Sequence, residues 1–265
     1  LPRNNAKQED GTAALRKGLS VLTCYSWNNT TLSITEIAEM LAIPVPTASR
    51  LVKALREEGF LAQDPKTRLY SLGFKSYIVG AVARMSGVLR SIALPYMNRL
   101  RDKYNETVNL YIREGDFRVC YEQLESTQYL KRSASLGVRL PIGAGASGRC
   151  FLAFLPEEYA RKVLGKITAL TENTIVDVDI ALGKIQEVRE RGYSISAAER
   201  ENGVSSVASP ILDVASEAIG SIAVSGPSLR FTGEMIEALI PDIKTCCREI
   251  STQMGAREED IPFLS

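Results

Sequence analysis

Apolar and polar positions alternate most regularly between Ser33 and Leu72. Ile34, Ile37, Ala38 and Leu41 recur at i, i+3, i+4 and i+7, one apolar face of a helix. Ser33 and Glu36 stand at its start with the spacing of a capping box. Ala42-Ile43-Pro44 breaks the pattern and supplies a turn. A second helix follows from Pro46 to Glu58, with Ala48, Leu51, Val52 and Leu55 as its buried stripe. Pro46 suits the first helical position, where a missing N–H costs nothing, and Gly59 ends the helix. Phe60–Gln63 and Arg68–Ser71 flank Asp64-Pro65-Lys66-Thr67 as a hairpin with cations at its tip. Upstream, Ala13 to Ser26 reads as a helix with Leu15, Leu19 and Leu22 on one side and Thr12 as its N-cap. Helix, turn, helix and hairpin, in that order, make a winged helix-turn-helix.

Phe74 to Leu89 carries Phe74, Tyr77, Ile78, Ala81, Val82 and Met85 on one face. It reads as a linker helix that packs on a partner subunit or on its own domain. Beyond it the pattern predicts a helix over Ile92–Tyr104 and strands over Thr107–Arg113, Phe117–Leu124 and Tyr129–Ser135. Helices follow near Gly145–Phe154, Glu157–Leu164 and Val178–Arg191. Strands return at Tyr193–Ser196, Ser205–Leu212 and Ala218–Val224, and a helix runs from Thr232 to Gln253. A mainly antiparallel sheet with helices around it is an α+β fold. The expected organisation is a flexible tail (1–11), a winged helix-turn-helix domain (12–73), a linker helix (74–89), a second domain (90–254) and a frayed polar tail (255–265).

Composition narrows the function classes. The chain has 265 residues and no histidine, which removes histidine triads, histidine metal sites and imidazole acid–base chemistry together. Five cysteines without regular spacing point to a reducing cytoplasm, and with no CxxC pair a structural zinc is not expected. No apolar run reaches the roughly 18 residues of a membrane span, and the N-terminus lacks a signal-peptide core. Neither a cofactor nor a metal is called for, and no catalytic residue is assigned. Net charge is +1, but residues 12–75 carry +3 and residues 76–265 carry −2.

That mild asymmetry matters because of where the cations fall. At about 100° per residue the second helix turns Pro46, Ser49, Arg50 and Lys53 away from its apolar stripe, with Thr47 at the edge. Short hydrogen-bonding groups and cations near a helix N-terminus are what contact base edges and phosphates in the major groove. Lys66 and Arg68 on the hairpin suit phosphate. The candidate partner is double-stranded DNA; a solvated face of an interaction module is the alternative. In the second domain, the small-residue turn Gly143–Gly148 lets a backbone approach a ligand and precedes a helix whose free N–H groups suit a carboxylate. No GK[ST] follows, so it is not a P-loop. Cys150 sits just beyond; without a histidine it reads as a small buried residue rather than a nucleophile.

Taken together these segments resemble the IclR family of bacterial transcriptional regulators. The likeness runs through Leu15–Leu22, Thr35–Ala38, Arg50–Leu55 and Gly59–Leu61, then through Leu140–Arg149, Phe151–Ala153, Gly203-Val204, Ser209-Pro210 and Ile222–Pro227. It implies a homodimer, often a dimer of dimers, on an inverted-repeat operator. Thr35, Pro46, Thr47, Ser49, Arg50, Lys53, Lys66 and Arg68 then form the DNA surface. It also implies a GAF-like effector domain that responds to a small, carboxylate-bearing metabolite of a catabolic route. Gly145, Ala146 and Ser147 fall where relatives hold a ligand carboxylate by backbone amides. Leu140 matches an apolar wall residue, Ser206 a frequent Cys, and Ala223 and Ser225 a pair of Ser. Glu199 is the best match to an acid that usually precedes the Gly-Val step. The loss of polar groups at 197 and 223 implies an effector different from, or less polar than, glyoxylate-like acids. Tyr129 and Arg132 are candidate wall residues or solvated strand residues. A small-molecule enzyme that keeps the helix-turn-helix for docking, with Cys150 or Glu199 essential, is the competing reading. An oligomerisation protein is the third.

Overall fold

A computed structural model describes residues 6–26, 29–85, 87–257 and 261. The chain divides into two compact units, Leu1–Ser86 and Gly87–Ser265.

In the first unit, α1 (Ala6–Leu22) is longer than expected at its start. Good helix formers from Ala6 to Glu9 carry the helix past Thr12, which lies inside it rather than at its cap. The part of the expected tail at 1–5 lies outside the described residues. The buried face of α1 also differs: Val21 is buried, while Leu15 and Leu19 are exposed. Gly18 faces Leu51 of α3 (Val45–Glu57), where the small residue lets the two helices meet. α2 (Ile34–Met40) has the capping box the spacing predicts. Glu36 N donates to Ser33 Oγ at 3.2 Å, and Ser33 N donates to Glu36 Oε2 at 2.7 Å. Strands β2 (Leu61–Gln63) and β3 (Tyr70–Leu72) form the hairpin, and β1 (Thr31–Leu32) adds a third strand beside β3. Val21, Leu32, Ile37, Ala48, Val52, Leu61 and Tyr70 close one core. Helix α4 (Phe74–Met85) ends this unit with Phe74, Tyr77, Ile78 and Val82 exposed.

The second unit is built on a six-stranded antiparallel sheet. It holds β4 (Thr107–Glu114), β5 (Phe117–Leu124), β6 (Arg139–Pro141), β7 (Ser194–Ala197), β8 (Val204–Leu212) and β9 (Ala218–Pro227). Their spatial order is β6-β5-β4-β9-β8-β7. Because side chains alternate across a strand, Val207, Ile222 and Val224 face one side and Ala208 and Ala223 the other. The first side is covered by α5 (Val88–Tyr104) and, through Leu239, Ile243, Cys247 and Ile250, by α9 (Gly233–Gln253). The second packs against α6 (Ala146–Leu152), α7 (Glu157–Leu164) and α8 (Val178–Arg191).

Three expectations change here. The strand expected over 129–135 is not formed. That run is too polar to cover a sheet face, and a side chain takes one of its backbone donors: Ala134 N donates to Gln123 Oε1. The edge place beside β5 goes to β6 instead. The second unit begins at Gly87, close to the expected 90. The tail beyond 254 is packed where it is described: Ala256 and Ile261 are buried against Leu212. All five cysteines are unpaired and buried. Among the described residues no helix is long and apolar enough to cross a membrane, and no cluster of ligating side chains could hold a metal.

Candidate functional site

On the first unit, α3 starts one residue before Pro46, so Pro46 takes the second helical place. Ala48 and Val52 are buried; Pro46, Arg50 and Lys53 are exposed, and Thr47 and Ser49 are half-buried beside them. Thr35 is exposed in the first turn of α2. The hairpin tip is a tight turn built on Asp64. Its Oδ1 accepts from Lys66 N at 2.7 Å and from Thr67 N at 2.9 Å, which holds the carboxyl below the ordinary range. Arg68 takes φ of +63°, and its carbonyl accepts from Gln63, whose own amide oxygen accepts from Arg56 of α3. The wing that carries Lys66 and Arg68 is thus braced against the helix that carries Arg50.

The second unit holds a concave space, open to solvent, over the face of the sheet that meets α6. Gly145, Ala146, Ser147, Ser206, Ala223 and Ser225 line it. Strand register explains the sheet wall: Ser196 pairs with Ser206, and Ser206 with Ser225, so three hydroxyls stand in a row across β7, β8 and β9. Ala223 stands two residues along from Ser225 on the same face, opposite Asn109.

The remaining lining was not foreseen, except Arg132. Tyr111, Arg118, Ser196, Arg200, Glu201 and Val204 complete it. Arg118 is 3 % exposed. Its Nη1 donates to the carbonyls of Pro141 and Ala144, each at 2.8 Å, and its Nε has no partner. Burial lowers its pKa to about 10, still charged at neutral pH. Its guanidinium lies over the Tyr111 ring, 5.5 Å from the centroid. Arg200 is held below its ordinary value by burial first and by neighbouring Arg132 as well. The small-residue turn has a packing reason too. A Cβ at Gly148 would sit 2.1 Å from the Ile142 carbonyl and 2.8 Å from Arg118 Nη1. Gly145, at φ +82°, lies where a Cβ would come within 3.4 Å of Arg118 Nη2. The motif makes room for a buried cation. α6 is only seven residues long, so the pocket's positive field comes from arginines more than from a helix end.

Three expected pocket residues lie elsewhere. Tyr129 is fully exposed, because its segment is a surface loop and not a strand. Leu140 pairs with Arg118 along β6 but packs into the core beside α6 and α7, outside the lining. Glu199 is buried in a structural pair with Arg149, whose Nη1 and Nη2 donate to its two oxygens at 2.6 and 2.9 Å. Ser194 Oγ and the Ile195 carbonyl accept the rest of that guanidinium. The competing thiol chemistry also finds no footing, since burial pushes Cys150 up to about 12. Arg118 did leave a signal. In β5, Arg118, Cys120 and Glu122 alternate with Phe117, Val119 and Tyr121, and the polar set is the buried one. Nothing in the local pattern marks Arg200.

The two units match two family descriptions. Residues 14–65 match the IclR helix-turn-helix domain, and residues 81–252 match the bacterial transcriptional regulator IclR C-terminal domain. The HTH-type transcriptional repressor AllR of Escherichia coli K12 is 31% identical over 251 residues, covering 94% of this chain and 93% of that protein.

The chain belongs to the IclR family.

It is therefore a DNA-binding transcriptional regulator with a C-terminal effector domain, and not an enzyme. The IclR regulator of Alicyclobacillus acidocaldarius superposes with a TM-score of 0.85 at 28% identity, over 92% of this chain and 99% of that one. An IclR homologue from Microbacterium hydrocarbonoxydans, complexed with 4-hydroxybenzoate, shares the fold with a TM-score of 0.79 at 22% identity, over 91% and 98%.

Proposed function

We propose that this regulator binds an inverted-repeat operator as a homodimer, by itself or as a dimer of dimers. In this reading a carboxylate-bearing metabolite in the α6 pocket controls it, and the regulated genes are those of a catabolic operon. The observation that carries the effector reading is Arg118. It is a charged guanidinium buried in an open pocket, with no carboxylate paired to it among the described residues. A cation in that setting is costly unless something compensates it, and perturbed groups of this kind gather at functional sites. The Microbacterium protein supports the class, since 4-hydroxybenzoate is a carboxylate. On DNA, Arg50, Ser49 and Thr47 read base edges with Pro46 packed close, while Thr35, Lys53, Lys66 and Arg68 hold phosphates.

Fluorescence anisotropy of the full chain on the DNA beside its own gene, against a scrambled duplex and at several salt concentrations, tests this. The expected result is selective binding with a steep salt slope. Arg50→Ala should lose about 1–3 kcal/mol of sequence preference. Lys66→Ala should weaken both duplexes alike and flatten the salt slope. An Arg50→Ala protein with unchanged selectivity would show that α3 does not read the sequence.

A further inference from the structure

Three guanidiniums, from Arg118, Arg132 and Arg200, line one pocket with a single carboxylate, that of Glu201. Glu201 is 3.1 Å from Arg132 Nε and 3.9 Å from Arg200 Nη2, so it is spent first on Arg132. Arg118 has none of it. Two guanidiniums are thus left without a full counter-charge, and Arg118 keeps an unpartnered Nε as well. Their side chains border the same turn: a point built out from Gly145 lies 3.4 Å from Arg118 Nη2, 3.9 Å from the Arg200 methylene Cδ and 3.9 Å from Ser196 Oγ.

We propose that the pocket is built for a short dicarboxylate, with one carboxylate on Arg118 and the other on Arg200, and that it discriminates against monocarboxylates. The proposal rests on the effector reading above and narrows it. A monoanion would satisfy one guanidinium and leave the other half-buried and uncompensated. A dianion matches the charge that Glu201 does not cover. Because both arginines line one pocket, the two carboxylates must be joined by a short chain. The row of Ser196, Ser206 and Ser225 then offers hydroxyls to polar substituents on that chain. Of the two effectors expected, one different from glyoxylate-like acids and one less polar, this favours the first: Arg118 and Arg200 outweigh the hydroxyl missing at Ala223.

The test is isothermal titration and thermal shift of the full chain at fixed ionic strength. Malonate, succinate and glutarate are compared with malonamate, succinamate and glutaramate, which keep shape and lose one charge. 4-Hydroxybenzoate and inorganic phosphate are run beside them. At least one dicarboxylate should bind roughly tenfold or more tightly than its monoamide, the ratio expected of one lost charge-assisted contact. Arg200→Gln should bring that ratio close to one while the monoamide's own affinity holds. Arg118→Met should weaken both, and Arg200→Gln keeps the test open should Arg118→Met fail to fold. Monoamides or 4-hydroxybenzoate binding as tightly as every dicarboxylate, with dependence on Arg118, would overturn the dicarboxylate and leave the carboxylate pocket standing. Phosphate binding better than any dicarboxylate would overturn it in favour of a phosphorylated ligand. Silence from every carboxylate would remove both this proposal and the carboxylate reading beneath it.

Discussion

Two buried arginines in the effector domain look alike by burial and differ by partner. Arg149 and Arg118 are each 3 % exposed. Arg149 is matched by Glu199, Ser194 and a carbonyl, whereas Arg118 meets two carbonyls and no acid. Removing one member of a buried pair leaves the other charged and unpaired, at a cost of about 3–5 kcal/mol. Arg149→Met should therefore lower the unfolding free energy by about that amount, read from the urea midpoint at unchanged slope. Arg118→Met should cost much less: it frees two carbonyls but also takes an uncompensated cation out of the interior. Equal losses in the two variants would mean that Arg118 is as structural as Arg149 and that the pocket's charge has no ligand purpose. The same contrast explains why Glu199 misled the sequence reading. An acid before a Gly-Val step is equally consistent with a ligand contact and with a buried partner, and only the position of Arg149, fifty residues away in the chain, separates the two.

At the scale of elements, the turn at the tip of the wing is held by the Asp64 side chain. The amides of Thr67 and Lys66 hold the Asp64 carboxyl below its ordinary value. A group with a lowered native pKa contributes stability above its unfolded value, about 3.9 for Asp, and that contribution is lost as pH falls through the native value. An NMR pH titration should show the Lys66 and Thr67 amides shifting together with a midpoint below the ordinary Asp value. A midpoint at the ordinary value would mean that the Asp64 turn is not formed in solution. Helix α4 makes a second prediction at this scale. Phe74 and Tyr77 are 74 % and 69 % exposed and stack on each other, with Val82 at 61 %. An apolar face of that kind marks an interaction surface. In the proposed dimer, Tyr77→Glu with Ile78→Glu should shift the sedimentation mass to the monomer and abolish selective operator binding while the helical signal is kept. A double variant that stays dimeric would place the dimer contact elsewhere.

Elements were legible where one local signal decided them. The capping box of α2, the apolar stripe of α3 and the limits of α7 and α8 follow from spacing and termini alone. What stayed hidden depended on partners distant in the chain. β1 is two residues long and exists because β3 offers an edge. The segment near Tyr129 does not pair, and the edge beside β5 goes to β6. The serine row across β7, β8 and β9 is a matter of register, which a sequence fixes only through the whole sheet. Ala146, Ser147, Ser206 and Ser225 could be named by family likeness; Arg118 left only the alternation of β5 as a signal, and nothing local distinguishes a buried Arg200 from a solvated one.

For the whole molecule the proposed function requires that a ligand in one unit change what the other unit does. Coupling between two sites is a free energy and acts equally in both directions. If a dicarboxylate changes operator affinity by some factor, operator DNA must change dicarboxylate affinity by the same factor, typically 5–150-fold for coupling of about 1–3 kcal/mol. This can be checked without knowing whether the regulator represses or activates. Operator anisotropy is titrated at zero and at saturating dicarboxylate, and ligand calorimetry is repeated on free protein and on protein saturated with operator. The two ratios should agree. A chain whose ligand affinity is the same with and without operator, while operator affinity does respond to ligand, would violate linkage; a second ligand site, or an assembly change hidden in the DNA experiment, would then have to account for it. Monomeric Tyr77→Glu/Ile78→Glu protein sharpens the test. Its pocket lies within Gly87–Ser265 and should still bind the dicarboxylate with the affinity of free wild type. Its ligand affinity should no longer respond to operator DNA, because no selective complex forms to bias it. Retained ligand binding with abolished coupling would assign recognition of the metabolite to one unit and its consequence to the paired helices.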